Sequence, residues 1–372
     1  MKATVEREKM LAAFRTAAAV APARSPKAIV QHVKLEASDN QAVLTATDME
    51  IGVRVQVEGL EVAAAGAALL SVDRMGSILR ESTAAKLQIE TTDSGARVLG
   101  ERSEFQLPSG HPDEFPSVAE FNEEKYHSVS ARLMRELIRR TIFATDVESS
   151  RYALGGVLLE FEPNKITAVG TDGRRLAKME VEAQAIEGHT GSDSTTIVPT
   201  RAMQLIERAL ADVEGDVHLA ARSNDILLRG PSFVFYSRLV EGRFPRWRDV
   251  FPARREAVRI ELTVGPLLAA LRQASIVTSK ESRGIDFTFQ NGSLVLSATT
   301  ADIGQSRIEL PIAYEGDELT VTLDFRYVAD FLRVLDLQKS FVLEIESPET
   351  PALFTTDDGY GYVVMPLARQ SG

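Results

Sequence analysis

A chain of 372 residues, 44% hydrophobic and 26% charged, is long enough for two or three ordinary domains and has the composition of a globular protein. It has no cysteine, which excludes disulfides, thiolate nucleophiles and Cys-based zinc sites and makes a reducing cytoplasm the expected location. Its net charge of −11 argues against general stickiness towards nucleic acid while leaving local basic patches open.

The N-terminal MKATVEREKMLAAF mixes both charge signs and lacks the apolar stretch of a signal peptide, and no run of about 18 apolar residues follows it anywhere. Apolar residues at i, i+3, i+4 spacing predict a helix over 6–20. VLTATDMEIGVRVQVEG (43–59) reads as a strand, a Thr-Asp turn and a second strand, with alternation clear in VRVQV. A second helix follows at SVDRMGSILRE (71–81), with Ser71 as a start residue, and late strands lie within 103–116.

The same succession then begins again. Helix 130–144, strands and turn 166–183, helix 198–210 starting at Pro199-Thr200, and late strands 233–245 form a second round. Helix 263–277, the weaker copy 294–311, helix 323–335 and strand 360–366 form a third. Thr47, Thr171 and Thr299 are 124 and 128 residues apart, and Val72, Val198 and Leu323 are 126 and 125 apart. The repeat predicts an α+β chain of three units, 1–122, 123–252 and 253–372, with polar or Pro-containing joints near 118–127 and 249–259.

The chemistry-bearing patterns are mostly missing. There is no G-x-x-x-x-G-K-[ST], G-x-G-x-x-G or G-x-S-x-G, and none of the five histidines lies three to five residues from another. No catalytic residue, metal or cofactor is therefore expected. GTDGRRLA (170–177) still invites a reading as an active site, with Asp172, Asp48 and nearby arginines serving a carboxylate-dependent enzyme acting on phosphorylated substrates. The recurrence of Thr-Asp in the first unit favours instead an Asp that caps a tight turn. What distinguishes the second unit is GRRL, behind the aspartate.

Charge is distributed unevenly. Residues 131–140 carry four arginines against one glutamate, and none of the six predicted helices is net acidic in a strongly acidic chain. Basic side chains along helices suit sequence-independent, salt-sensitive contact with phosphates.

MKATVEREKML, RYALGGVLLE (151–160), VGTDGRRLAKM (169–179), SRLVEGRFP (237–245) and YVVMP (362–366) occur in an order that resembles the bacterial DNA polymerase III β subunit family, the β sliding clamps. The resemblance runs over essentially the whole chain. It implies three repeated clamp domains with antiparallel sheets outside and helices lining an inner face. Two copies would close head to tail into a ring around duplex DNA, held without sequence preference. The mechanism implied is topological tethering, not catalysis.

Implied partners are the polymerase III core, other polymerases, the clamp loader and a second copy, with no membrane. The resemblance assigns a partner-peptide groove to Leu154, Thr171, Gly173, Arg174, Arg175, Leu176, Pro245, Val250, Val363, Val364, Met365, Pro366 and Leu367. The groove would have GRRL as one rim and VVMPL as the other, an apolar trough for Leu or Phe anchors. It assigns DNA contact to Arg24, Arg135, Arg139, Arg140, Arg151, Tyr152 and Arg201. The dimer interface falls to Phe105 and Leu107 on one end and Ile276 and Val277 on the other, with Arg74 and Arg80 nearby.

The chain departs from the family in places. Arg174 stands where a His is frequent, Ala153 replaces an aromatic residue, and the chain runs on as LARQSG after the groove. TTADIGQSRIE (299–309) lacks the dense acidic run of some relatives, which implies an interface resting more on apolar contact.

Overall fold

The computed structural model describes residues 1–38, 41–148, 153–191, 195–251, 257–279, 281 and 283–368. Three rounds of one element order run along it. The first is strand Lys2–Glu6, helix α1 (Arg7–Ala18), strands His32–Ser38, Gln41–Thr47, Ile51–Val57, Leu60–Ala64 and Gly66–Ser71, helix α2 (Val72–Glu81), then strands Lys86–Thr92, Gly95–Leu99 and Glu104–Pro108.

The second is strand Tyr126–Ser130, helix α3 (Ala131–Arg139), strands Gly156–Glu162, Lys165–Thr171, Arg175–Glu182, Gln184–Ile186 and Thr196–Pro199, helix α4 (Thr200–Ala209), then Asp216–Ala221, Asp225–Arg229 and Phe233–Arg238. The third is strand Val258–Thr263, helix α5 (Val264–Ala274), strands Gly284–Gln290, Ser293–Thr300, Gly304–Pro311 and Leu319–Asp324, helix α6 (Phe325–Arg333), then Ser340–Ile345, Ala352–Thr355 and Tyr360–Val364. Among the described residues the third round lacks only the short fifth strand.

Each helix starts directly from the end of a strand. Ser71 and Pro199 stand at the starts of α2 and α4 as the sequence predicts, yet neither supplies a side-chain cap. Only α6 has one among the described helices: Asp324 accepts from the backbone N–H of Arg326 at 3.0 Å. The apolar stripes face inward as the 3.6 period requires, with Met75, Ile78 and Leu79 of α2 and Met134, Leu137 and Ile138 of α3 buried. Each such side chain contributes about 1.5–3 kcal/mol relative to exposure.

The chain divides into two compact units, and the middle round contributes to both. The first holds Met1–Arg135, Phe161–Asn164 and Ala183–Leu239. Its nine-stranded sheet runs from Gln184–Ile186 through Tyr126–Ser130, Asp216–Ala221, Asp225–Arg229, Phe233–Arg238, Ile51–Val57, Gln41–Thr47 and His32–Ser38 to Gly66–Ser71. A five-stranded sheet beside it ends at Glu104–Pro108.

The second unit holds Glu136–Glu160, Lys165–Glu182 and Val240–Gly372. Its larger sheet takes in Lys165–Thr171, Arg175–Glu182, Tyr360–Val364, Ala352–Thr355, Ser340–Ile345 and Val258–Thr263 in that order. Its four-stranded sheet has Gly304–Pro311 at one edge. Both units are thus built by fusing the last strand of one round to the strand after the turn of the round before: Phe233–Arg238 on Ile51–Val57, and Tyr360–Val364 on Arg175–Glu182.

Candidate functional site

The Thr-Asp turn is a closed hydrogen-bonded device. The Asp172 carboxylate Oδ1 accepts from the N–H groups of Arg174 and Arg175 at 2.9 and 3.0 Å. Thr171 Oγ1 accepts from the Gly173 N–H at 3.1 Å and donates to the Arg175 carbonyl at 2.6 Å. In the first round Asp48 accepts from Glu50 and Ile51 at 3.0 and 2.7 Å, and Thr47 accepts from the Met49 N–H and donates to the Ile51 carbonyl at 2.9 and 2.8 Å. Both carboxylates are committed to their own backbone, an Asx turn. Asp172 therefore serves the turn, and among the described residues no group of three or more His, Cys, Asp or Glu side chains could hold a metal ion.

Behind the turn, Arg175 is a half-buried post. It donates through Nε to Asp172 Oδ2 at 3.0 Å, through Nη1 to Asp330 Oδ2 at 2.7 Å and through Nη2 to the Phe143 carbonyl at 2.7 Å. Its guanidinium lies 4.5 Å from the Tyr327 ring centre and 5.4 Å from that of Phe143. Burial opposes its charge, but Tyr362, Asp330 and Asp172 raise its pKa above the ordinary arginine value, so the charge is permanent. Arg175 fixes the turn to α6, whereas Arg174 beside it is exposed.

GRRL and VVMP do come together, but as adjacent strands instead of facing rims. Arg175 lies opposite Val364 and Leu176 opposite Val363, and the Met365 N–H donates to the Arg174 carbonyl at 2.9 Å. Leu154, Thr171, Leu176, Val363 and Val364 are all buried. Pro245, Val250 and Pro366 are half-buried. Gly173, Arg174, Met365 and Leu367 are exposed, the last two at 42% and 39%. The Leu367 N–H donates to the Thr322 carbonyl at 2.9 Å, which holds the segment after the last strand in place. A Cβ added to Gly173 would meet nothing within 4 Å, so what glycine supplies is its backbone, at φ 84°, with open space above it.

Sequence reasoning missed three supports of this site: Phe143, Tyr327 and Asp330. Phe143 and Tyr362 are 5.7 Å apart between ring centres, and Tyr362 donates to the Tyr327 carbonyl at 3.0 Å. None carries a local sequence signal, because their partners lie 32 to 155 residues away.

The cationic positions separate into two kinds. Arg24 is exposed, and Arg135 and Arg139 are partly so, with Arg139 3.5 Å from Glu136. Arg201 donates to the Val20 carbonyl at 3.1 Å and lies 3.5 Å from Asp48 while keeping half its side chain in solvent. Arg140 does not fit a DNA-facing role. It is 8% exposed, bonded to Glu136 at 3.1 Å and Asp358 at 2.9 Å, with its guanidinium 5.4 Å from the Tyr360 ring centre. The pattern held this signal, since Arg140, one residue past the end of α3, falls three residues after Leu137 and seven after Leu133, in line with the apolar stripe. Arg132, on the opposite side and exposed, went unassigned. Arg151 and Tyr152 lie outside the described residues. At the two ends, Arg74, Arg80, Phe105 and Ile276 are exposed, Val277 is half-buried and Leu107 is buried.

Profiles of the DNA polymerase III beta subunit match in succession: the N-terminal domain over residues 1–119, the central domain over 128–246 and the C-terminal domain over 248–368. The chain is 27% identical to the beta sliding clamp of Chlamydia pneumoniae over 99% of both chains, and 29% identical to that of Pseudomonas putida over 99% of this chain and 100% of the other. Its fold superimposes on the DNA polymerase III subunit beta of Pseudomonas aeruginosa with a TM-score of 0.90 at 27% identity, covering 99% and 100% of the two chains. The sliding clamp of Bacillus subtilis, at 21% identity and full coverage of both chains, shares the fold with a TM-score of 0.92. Three domains of one family, matched in order along nearly the whole chain, make this protein a member of the DNA polymerase III beta subunit family, the beta sliding clamps.

Proposed function

We propose that two copies of this chain join head to tail as a ring around duplex DNA and tether polymerases and the clamp loader to it without catalysing any reaction. The observation that carries this reading is the repeated strand fusion. Two junctions of identical construction within the chain leave one strand of each kind with an open edge among the described residues, Glu104–Pro108 and Gly304–Pro311. A heterologous contact of that sort closes a ring when its rotation permits. The domains would be 1–122, 123–252 and 253–372, the protein would work in the cytoplasm, and no described helix is long and apolar enough to cross a membrane.

Partner peptides would lie beside Gly173 and Arg174, with apolar anchors against Met365, Pro366 and Leu367 and against the half-buried Pro245 and Val250. Met at an exposed rim suits a site that accepts several sequences. DNA would meet Arg24, Arg132, Arg135, Arg139 and Arg201 through phosphates alone.

Size measurement and retention on DNA test the reading together. The expected particle has twice the 40.7 kDa chain mass, remains on nicked circular DNA and is lost once the circle is linearised. Equal loss from both forms of DNA excludes a topological clamp.

A further inference from the structure

Lys34, Thr45 and Arg54 form one row across three neighbouring strands of the first unit: Lys34 lies opposite Thr45, and Thr45 opposite Arg54. Their neighbours along the chain, Val33, Leu35, Leu44, Ala46, Val53 and Val55, are buried on the other face of the sheet. The segment 115–122 crosses the face that carries the row and leaves a pocket of about 410 Å³ beside it, wholly within the first unit.

Thr45 lines this pocket, is 2% exposed and has a hydroxyl with no hydrogen-bond partner among the described residues. A buried hydroxyl left unpaired is destabilising. The cations on either side of it are occupied, but loosely: Lys34 meets Glu36 at 3.0 Å and Arg54 meets Glu120 at 2.9 Å. In each pair the acid is the exposed member, with 42% and 58% of its side chain in solvent against 17% and 23% for the cation. Ion pairs of that kind are weak, so the glutamates can leave for water while the two cations stay in place.

The second unit carries the same ground in a closed form. Glu160, Val169 and Lys178 stand 124 residues after Glu36, Thr45 and Arg54, the interval that separates Thr47 from Thr171. Val169 lies opposite Lys178 as Thr45 lies opposite Arg54, and it is fully buried with no polar side-chain atom to satisfy. Phe244-Pro245 repeats Phe115-Pro116, and three positions after each phenylalanine stand Trp247 and Val118. Trp247 donates through Nε1 to Glu160 at 3.3 Å and packs on Phe251, whose ring centre lies 5.8 Å from Lys178 Nζ. The indole thus reaches from the strand of Glu160 towards that of Lys178. Val118 is too short to do so and rests on Gly52, one row further along. The first unit therefore has valine for tryptophan over the sheet and threonine for valine within it. Together the two differences open a pocket and put a hydrogen-bonding group at its base.

We propose that this pocket binds a small carboxylate carried on an apolar body. The carboxylate sits between Lys34 and Arg54 and accepts from the Thr45 hydroxyl, and the body lies against Phe115 and Val118, which line another wall. Carboxylate is the group both cations already hold, and the guanidinium fork of Arg54 matches its two oxygens. The volume falls in the range of small-ligand sites. A free acid and the C-terminal residue of a partner chain present the same chemistry. Nothing in the pocket depends on ring closure or on the groove beside Gly173.

N-acetyl-phenylalanine probes the full-length chain directly, followed through the methyl NMR signals of Thr45 and Val118. Both signals should shift and saturate with a dissociation constant of about 1 mM or below. The amide of the same compound should bind about ten-fold more weakly. Thr45→Val, which copies Val169, should weaken the acid about five-fold and leave the melting temperature unchanged or higher, since it removes an unpaired hydroxyl. Lys34→Met and Arg54→Met should each weaken it about ten-fold. Val118→Trp, which copies Trp247, should abolish binding, and the Thr45→Val arm carries the test should that variant fail to fold. An N-acetylated peptide ending in phenylalanine that binds tighter than the free acid assigns the occupant to the end of a partner chain; one that binds no tighter assigns it to a small acid. No shift at Thr45, an amide or inorganic phosphate as good as the acid, or undiminished binding in Thr45→Val overturns the proposal.

Discussion

Met49 and Gly173 occupy the same left-handed position in two copies of one turn, at φ 83° and 84°. Around them the four threonine and aspartate hydrogen bonds are duplicated, so the backbone demand is identical and only the residue differs. A side chain in that region is strained by about 1 kcal/mol or more. Met49→Gly should stabilise the chain by roughly 0.5 kcal/mol once the extra freedom of glycine in the unfolded state is offset. Gly173→Ala should destabilise it by about 1 kcal/mol although the space is open. Urea denaturation of the two variants measures both signs; a loss of stability in Met49→Gly would show that methionine is held there by contacts stronger than the strain.

Arg174 and Arg175 look interchangeable in the sequence and are not in the structure. Arg175→Ala removes the cation shared by Asp172 and Asp330, Arg333 alone remaining 3.1 Å from Asp330, at a cost of about 2 kcal/mol. Pairing Arg175→Met with Asp330→Leu should recover most of that loss. Arg174→Ala should leave stability within about 0.5 kcal/mol, since the residue is exposed. Its effect should appear in affinity for polymerase-derived peptides, measured by fluorescence polarisation. Equal destabilisation by the two alanine variants would contradict the division of roles.

The repeat was legible because it is written in local chemistry. Thr-Asp turns, two-residue alternation and helical spacing each depend on neighbours within a few positions, and all three recur near a 125-residue interval. The site was legible only in part. Val363 and Val364 read as an apolar trough wall, but they pair with Leu176 and Arg175 as strand partners and are buried, whereas Met365 and Leu367 are the exposed apolar residues of that segment. Asp330 was invisible because nothing near residue 330 announces a partner 155 positions earlier. Arg140 shows the opposite error: a basic run was read by charge when the helical period already set that residue on the buried face.

That distinction gives a test on DNA. Arg24→Ala and Arg132→Ala remove exposed charges, and each should lower the slope of log affinity against log salt by about 1 without altering the fold. Arg140→Ala should leave the slope unchanged. It should instead unfold at lower denaturant, because Glu136 and Asp358 lose a shared cation and Lys339 alone remains at 2.7 Å from Asp358. Binding to a short duplex over a range of salt, with circular dichroism melts alongside, separates the two outcomes. A slope change in Arg140→Ala would return that residue to the DNA-facing surface.

The last prediction concerns two buried histidines whose three hydrogen bonds are all satisfied with both rings neutral. Ala221 donates its N–H to His189 Nε2 at 3.3 Å, so the His189 proton sits on Nδ1 and points at His127 Nδ1, 2.6 Å away; the His127 proton then sits on Nε2 and meets the Glu162 carbonyl at 2.8 Å. Burial lowers the pKa of both rings, and for His189 the facing His127 lowers it further while Glu123 acts in the opposite sense. Their folded values thus lie below the unfolded value of about 6.5. As pH falls through that value the unfolded chain takes up protons that the folded chain refuses, so stability must fall with pH, by up to about 1.4 kcal/mol per unit for each ring. His218, lowered by burial and by Arg229, adds to the same slope. Melting temperatures between pH 8 and pH 5 should drop steeply in the native chain. They should drop less in His127→Gln with His189→Gln, even though that variant starts from a lower stability at pH 8. Parallel slopes in the two proteins would show that the pair is already charged, or already broken, in the folded state.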